Sequence, residues 1–547
     1  MNFTPDYIIV GAGSAGCILA NRLSADPSVN VLLLEAGGRD SSLLYRMPAG
    51  FFPLMKTGVG NWNFQSVPQA GLNGRTAYFP RGKVLGGSSS INGLVVSRGN
   101  PDDYDNWTRL GNPGWSYAEC LPYFKRIERY AGGDPAIRGT AGPVGVTLAP
   151  METMNPFSRA WIEGGMQAGY PFNPDMNAGN PYGMAQMQGS YLNGLRQSTS
   201  ACYLKPIAGR RNLQVVTGAQ VKRVKIEAQR ATGIEYIQRG KLFNVRANRE
   251  VILSAGAINS PQILQLSGIG NPNELRPLGI LVTHELPGVG ENLRDHIAIT
   301  LKQRSTKPYS LRSSLKPIAM FKTLASYLLS RSGPAAHGAL EAWAHLKSSG
   351  DLKYPDLQMY IVPLMYNDHG RDIINEEGFM TVLNGSKPLS TGSVKIRSRD
   401  PSMAPAIDPR YFSDPADLAV LRTGLRLTRE IFAQAAYDGL RGTEYAPGAQ
   451  VISDADLDNY IRSHANSLYH PVGTCMMGNS LDAVVDATLC VRGIAGLRVV
   501  DASIMPDITS GNTNFPTMMI AEKAADMILG VKSEPPFSPA LKEVAEI

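Results

Sequence analysis

Residues 7–16 read Tyr-Ile-Ile-Val-Gly-Ala-Gly-Ser-Ala-Gly, and residues 29–35 read Val-Asn-Val-Leu-Leu-Leu-Glu. The first stretch is a β-branched and aromatic run that stops at a glycine; the second is an apolar run that stops at an acid. Between them, Cys17 to Ser24 carries a helical pattern. Strand, turn, helix and strand therefore follow one another within about 30 residues, the opening of an α/β fold on a parallel sheet. Gly11 permits the tight turn, Gly13 lets a pyrophosphate approach the backbone, and Gly16 allows the helix to pack closely. The helix N-terminus, with Ser14 and Ala15, offers free N–H groups and a positive dipole end to phosphate. Glu35 stands about 20 residues beyond Gly16, where a carboxylate grips a ribose hydroxyl. Its charge repels a phosphorylated ribose, so the expected ligand is an unphosphorylated dinucleotide, NAD or FAD.

A second glycine cluster favours FAD. Gly82-Lys83-Val84-Leu85-Gly86-Gly87-Ser88-Ser89-Ser90-Ile91-Asn92-Gly93 supplies many backbone donors, which a nicotinamide cofactor does not need and a flavin does. Here the sequence resembles the glucose–methanol–choline (GMC) oxidoreductases, which bind FAD, with their choline, alcohol and sorbose dehydrogenase branch nearest in look. The resemblance runs from about Asp6 to Ile528. Residues 82–93 resemble the family's first signature, although Val96 departs from the aromatic or alanine usual further along it, and residues 256–270 resemble the second. Pro287 to His296, His470 to Cys475 and Val500 to Asn514 are similar to further family segments.

The resemblance implies a Rossmann-like FAD domain interleaved with a substrate domain built on an antiparallel sheet with helices. The FAD part would take residues 1–150, 203–300 and 491–531, the substrate part 151–202 and 301–490, and a loosely packed tail 532–547. Gly11, Gly13, Ser14, Ala15, Gly16, Glu35 and Ala36 would hold the ADP half, with Val221 at the adenine. Gly86, Gly87, Ser88, Asn92, Gly93 and Leu94 would line the pyrophosphate and flavin side, and Asp501 and Ala502 would close on the cofactor. Where some members tether FAD through a histidine this chain has Ile91, so the FAD is expected to be non-covalent.

Flavin-linked alcohol oxidation needs a base near the hydroxyl, and only histidine titrates unperturbed near neutral pH. Of seven histidines, His470 stands before Pro471-Val472-Gly473-Thr474, which constrains its backbone, and it resembles the family's catalytic histidine. The resemblance makes Asn514 its partner, an amide that can bond the substrate oxygen without competing for its proton. The other six, His296 included, read as structural or surface residues, and Cys475 as a packed thiol. The expected reaction is oxidation of a primary or secondary alcohol (a polyol, sugar or aromatic alcohol), with a quinone-type acceptor. The alternatives are an oxidase using dioxygen and a non-redox hydroxynitrile lyase.

Composition sets outer bounds. The 547 residues are 43% hydrophobic and 18% charged, an ordinary globular balance. The net charge of +7 is scattered, without the basic stripe of a nucleic-acid binder. Five dispersed cysteines form no CxxC pair, which disfavours a disulfide framework or structural zinc; no metal site is expected. With no leader-like start, a cytoplasmic location is expected. Residues 314–330 are apolar with spaced lysines. They read either as a helix packed at the substrate entrance or as a helix lying on a membrane surface.

Short apolar or alternating runs predict strands at Leu213–Val216, Val221–Ile226, Gly233–Ile237, Asn244–Ala247, Glu250–Ser254 and Leu497–Val500 in the first part. Leu357–Leu364, Met380–Leu383 and Ser393–Ile396 are predicted as strands of the second sheet. Asp414–Ala435 reads as a helix capped by Asp414 with Pro415 at its first position, and Thr517–Ile528 as an amphipathic helix.

Overall fold

The computed structural model describes residues 3–338 and 340–531, so the tail expected over 532–547 lies outside the described residues. Two sheets organise the chain. The first has five strands in the order Leu213–Thr217, Val31–Glu35, Tyr7–Val10, Glu250–Leu253 and Leu497–Val499, every neighbouring pair parallel. Tyr7–Val10 and Val31–Glu35 are buried along their whole length, which explains why their sequences are continuously apolar rather than alternating. The helix between them runs Ser14–Leu23, three residues earlier than its periodicity suggests, because Gly13 already sits at its N-cap. Between Leu213–Thr217 and Glu250–Leu253 the chain makes a three-stranded antiparallel excursion, Ala219–Glu227, Arg230–Gln238 and Lys241–Arg246.

The second sheet is antiparallel. Its strands run in the order Arg441–Ala446, Ile297–Ser305, Gly378–Gly385, Leu357–Val362, Ala342–Leu346 and Gly183–Gln186, with Asn466–Ser467 also pairing Ile297–Ser305. A domain boundary at Thr300 therefore falls inside a strand of this sheet, Ile297–Ser305. Ser393–Lys395 does not join it but pairs with Ala406–Asp408 as a separate ribbon. Alternation divides the sheet's labour. Ile299, Leu301, Leu357, Met359, Ile361, Phe379 and Leu383 form one core with Trp161 of helix Pro156–Gln167 and with Leu421, Leu425 and Phe432 of helix Pro415–Phe432. Ala298, Thr300, Lys302, Tyr360, Val362 and Val382, at the alternate positions, line a large cavity. The helix Pro415–Phe432 starts as expected, with the Asp414 carboxylate accepting the Ala416 N–H at 2.9 Å.

The last helix corrects its expected character. It spans Asn514–Leu529 and is buried on every side from Phe515 to Asp526, so it has no wet face. Its charges are matched internally: Glu522 accepts two hydrogen bonds from Arg22, at 2.9 and 2.7 Å, and one from Tyr203 at 2.9 Å. Asp526 takes a two-pronged contact from Arg126 at 2.9 and 3.0 Å, and the Lys523 ammonium lies over Tyr123, 5.0 Å from the ring centroid. A sequence that alternates charge with apolar residues looks amphipathic until each charge is seen to have its own partner from another part of the chain.

Residues 317–330 do form a helix, with only Tyr327 buried. Ile318, Phe321 and Leu329 are 75%, 73% and 88% exposed. Tyr327 packs with Ala335 and Ala336 against Met47 and Ala49, and Ala49 itself lines the cavity. The helix thus packs behind a residue of the cavity wall without lining the cavity itself, and it leaves an apolar face uncovered.

Candidate active site

A cavity of about 870 Å³ runs between the two sheets. One end is built by the glycine loops. At Gly11 the backbone is left-handed (φ 98°), and a Cβ there would sit 2.5 Å from the Ser254 carbonyl oxygen. At Gly16 a Cβ would sit 1.9 Å from the Gly11 carbonyl oxygen, so helix and turn are in backbone contact. At Gly13 the space is open, with nothing closer than 4.0 Å, and the helix that follows has no side-chain cap. Open space beside uncapped N–H groups is what a phosphate requires.

Of the expected cofactor residues, Gly11, Gly13, Ser14, Ala15, Glu35, Ala36, Gly87, Ser88, Asn92, Gly93, Leu94, Val221, Asp501 and Ala502 line this cavity. Gly16 and Gly86 do not. Gly16 is spent on the helix–turn contact, and Gly86 donates its N–H to the Ala12 carbonyl at 2.8 Å, joining one glycine loop to the other. Glu35 has a structural duty as well: its oxygens accept the N–H groups of Ala12 at 3.0 Å and Gly37 at 2.8 Å. Burial pushes its carboxyl up to about 7 against those bonds. Asp501 accepts four hydrogen bonds from the chain itself, from Gly256 N–H, the Ser260 hydroxyl, and the N–H and hydroxyl of Ser503. A carboxylate with four donors has no lone pair to spare, so Asp501 fixes the backbone of Ala502 rather than presenting an acceptor. Burial raises its carboxyl as well.

His470 lines the middle of the cavity and is held from three sides. Its N–H donates to Asp295 at 2.7 Å, and Asp295 also accepts the hydroxyls of Ser467 at 2.6 Å and Tyr411 at 2.5 Å. Burial pushes that carboxyl up to about 6. The imidazole Nδ1 is 2.9 Å from Nδ1 of His296, whose Nε2 is 3.0 Å from the Ser386 carbonyl. A carbonyl only accepts, so His296 carries its proton on Nε2 and its Nδ1 is an acceptor. His470 must then donate from Nδ1, which leaves its Nε2 unprotonated, an acceptor with its lone pair toward the cavity. Burial lowers both rings, His296 to about 4 and His470 well below the ordinary imidazole value, so both are neutral near pH 7. Tyr469, just before His470, has a left-handed backbone (φ 69°), the kind of strain that collects where a side chain must be aimed.

The residue facing that lone pair is Asn512, not Asn514. Asn512 Nδ2 is 3.1 Å from His470 Nε2, and its Oδ1 accepts from Tyr360 at 2.8 Å and Gln358 at 3.3 Å, which fixes the amide's orientation. Asn514 lines the same cavity but accepts the Ser14 hydroxyl at 2.7 Å and faces Met518. It opens the terminal helix, and that position turns it toward the first glycine loop. Asn512 stood in the quoted segment, two residues upstream, and no spacing rule separates the two. His296, taken as structural, is structural and also sets the tautomer of His470. Among the described residues no cluster of three or more metal-ligating side chains occurs, and all five thiols are free.

Comparison with known proteins adds the family context. Models of the GMC oxidoreductase family match residues 5–298 and 388–521. The chain is 44% identical over 542 residues to an oxygen-dependent choline dehydrogenase of Photobacterium profundum, covering 99% of this chain and 95% of the relative. It is 44% identical over 533 residues to the mitochondrial choline dehydrogenase of Mus musculus, covering 96% and 89%. Among solved structures, pyridoxine 4-oxidase from Mesorbium loti superposes with a TM-score of 0.88 at 30% identity, covering 96% of this chain and 99% of that one. A formate oxidase variant from Aspergillus oryzae RIB40, studied for its FAD modification, gives 0.91 at 26% identity, covering 97% and 98%.

Proposed function

Because this chain belongs to the GMC oxidoreductase family, as an FAD-dependent oxidoreductase acting on CH–OH donors, we propose that it oxidises a small alcohol to the carbonyl with His470 as base and a quinone-type acceptor. The observation that carries this reading is the order of hydrogen bonds that leaves His470 Nε2 unprotonated inside the cavity, its lone pair accepting only the Asn512 amide. When bound, FAD supplies the hydride acceptor for the alcohol carbon. The alcohol's hydroxyl proton passes to His470 Nε2, and Asn512 Nδ2, already directed there, donates to the developing alkoxide. His296 and Asp295 fix the ring's tautomer and backbone, and the sheet face carrying Tyr360 and Val382 keeps water from the carbon.

The residues fit an FAD. The open space at Gly13 and the uncapped helix suit a pyrophosphate, Glu35 and Ala36 a ribose, and Val221 the adenine. Ile91 lines the same wall and offers no nucleophile, which supports non-covalent binding. The exposed apolar face of the helix Pro317–Ser330, free of acidic residues, supports peripheral contact with a membrane that holds the quinone. No helix among the described residues is long and apolar enough to cross a membrane.

The test is anaerobic titration of the purified holoenzyme with a panel of alcohols, read as loss of flavin absorbance. Reduction by an alcohol followed by slow return of colour in air is expected. Fast return with hydrogen peroxide would make the protein an oxidase, and an unreduced flavin throughout would favour a lyase-like role. A second measurement isolates Glu35: replacing it by Ala frees the amides of Ala12 and Gly37. This should weaken FAD binding about 10- to 100-fold, measured as the Kd of the apoprotein for FAD.

A further inference from the structure

Beyond His470 the cavity continues into an end whose charged lining is mostly cationic: Arg75, Arg81, Lys302 and Arg371. The carboxylate at that end, Asp368, is held by Arg371 at 2.6 Å. Glu35 and Asp501 also line the cavity but are held by the chain's own amides and hydroxyls in the cofactor half. Arg81 donates to the Tyr469 carbonyl, and Arg75 donates to the carbonyls of Arg462 and Ala465, both at 2.9 Å.

Lys302 is different. It projects from the strand Ile297–Ser305 and is only 6% exposed, with Met380 and Ala446 as its cross-strand neighbours. Its ammonium donates to the neutral Asn367 Oδ1 at 2.7 Å, and among the described residues it has no ion-pair partner. The nearest acid, Asp372, is one step removed, accepting from Asn367 Nδ2 at 3.0 Å. A buried ammonium with one neutral acceptor and two donors left over is costly unless a ligand completes it.

The lining points the same way. An alcohol with a quaternary ammonium group, such as choline, needs open aromatic faces and a negative field. The face of Trp62 already holds Lys83 Nζ at 4.2 Å, and that of Tyr78 holds the Arg371 guanidinium at 4.2 Å. One face of each of these two rings therefore carries the chain's own cation. Phe51, Phe52, Tyr360, Tyr366 and Tyr469 line the cavity without one among the described residues, so it is the missing negative field, more than the rings, that disfavours a quaternary ammonium.

We propose that this end of the cavity is a subsite for an anion, centred on Lys302, and that the preferred substrate is an alcohol bearing a carboxylate rather than a quaternary-ammonium alcohol. This rests on the alcohol-oxidising reading above. The experiment compares ω-hydroxycarboxylates, n-alkanols of matched length and choline as anaerobic reductants of the holoenzyme, in the native chain and in Lys302→Met, with Lys302→Gln as a second variant should the first not fold. The native enzyme should prefer the hydroxycarboxylate over the matched alkanol by about 10-fold or more in kcat/KM, with choline poorest, and the substitution should collapse that ratio toward one. Choline as the best reductant, or a ratio unchanged by the substitution, would overturn the proposal. Melting in the presence of an unreactive n-alkanoate separates the two levels. If no alcohol reduces the flavin but the alkanoate raises Tm in the native chain and not in Lys302→Met, the anion subsite stands and the alcohol reading fails. If it raises Tm in neither or equally in both, the subsite fails.

Discussion

Replacing His470 by alanine should slow flavin reduction by about 10²- to 10⁴-fold, the range lost with a general base, while FAD stays bound. Both halves of that outcome follow from where the ring sits. Its Nε2 is the one basic atom that the hydrogen-bond order leaves unprotonated beside Asn512, so no neighbour can replace it. His296 cannot substitute in place, because its basic Nδ1 faces His470 Nδ1, on the side of the ring away from Asn512, and its Nε2 is committed to the Ser386 carbonyl. The glycine loops proposed to receive the cofactor are built by other residues and should survive. The pH profile gives an independent reading. Burial, together with the neighbouring His296 ring and the Arg81 charge, holds the His470 pKa well below the ordinary imidazole value. The base is therefore already neutral across the neutral range. The sign is that kcat/KM stays flat on lowering pH through 6.5 and falls only in more acid solution, where Nε2 takes its proton. Stopped-flow reduction across pH measures both effects, and a native acid limb at or above 6.5 would contradict the assignment.

Replacing Gly16 by alanine should give a protein without flavin that is less stable by about 3 kcal/mol. The added methyl would lie 1.9 Å from the Gly11 carbonyl oxygen and 3.0 Å from its carbon, and both are backbone atoms that cannot swing aside. Relief requires opening the turn, and the turn holds the Ala12 N–H on Glu35 and the Ala12 carbonyl on Gly86. Gly13→Ala is the contrasting case. Its methyl enters open space, so the apoprotein should melt like the native one yet fail to take up FAD. Thermal unfolding and flavin absorbance of the two variants, measured together, separate a glycine needed by the fold from one needed by the ligand.

The parallel sheet was legible because its signal is local: a fully buried strand is written as an unbroken apolar run, and the glycine turn follows directly. The helix starting at Pro415 was legible for the same reason, its cap and first proline standing side by side. The site was legible only as far as single residues. His470 carried a proline and glycine context, but its companions come from the loop ending at His296, the strand Leu357–Val362 and the segment before the terminal helix. Whether Asn512 or Asn514 meets the imidazole depends on how one turn of chain enters a helix, which two neighbouring asparagines cannot reveal. Lys302 gave no sequence signal, since a lone lysine in an otherwise mixed stretch ordinarily reads as a solvated surface residue. The terminal helix misled for a related reason: Glu522 and Asp526 look like a wet face until Arg22, Tyr203 and Arg126 arrive from distant parts of the chain.

The five parallel strands also set a timetable for biosynthesis. Four of them have been translated by Leu253, but the edge strand beside Glu250–Leu253 is Leu497–Val499, and Ala502, Asn512 and Asn514 follow it. On the ribosome, the nascent protein carries a nearly complete nucleotide fold with one wall of its pocket missing until almost all of the described chain has emerged. With the cofactor placed as proposed, its capture would be a late event, and the unpaired edge at Glu250–Leu253 is the surface most in need of protection in the meantime.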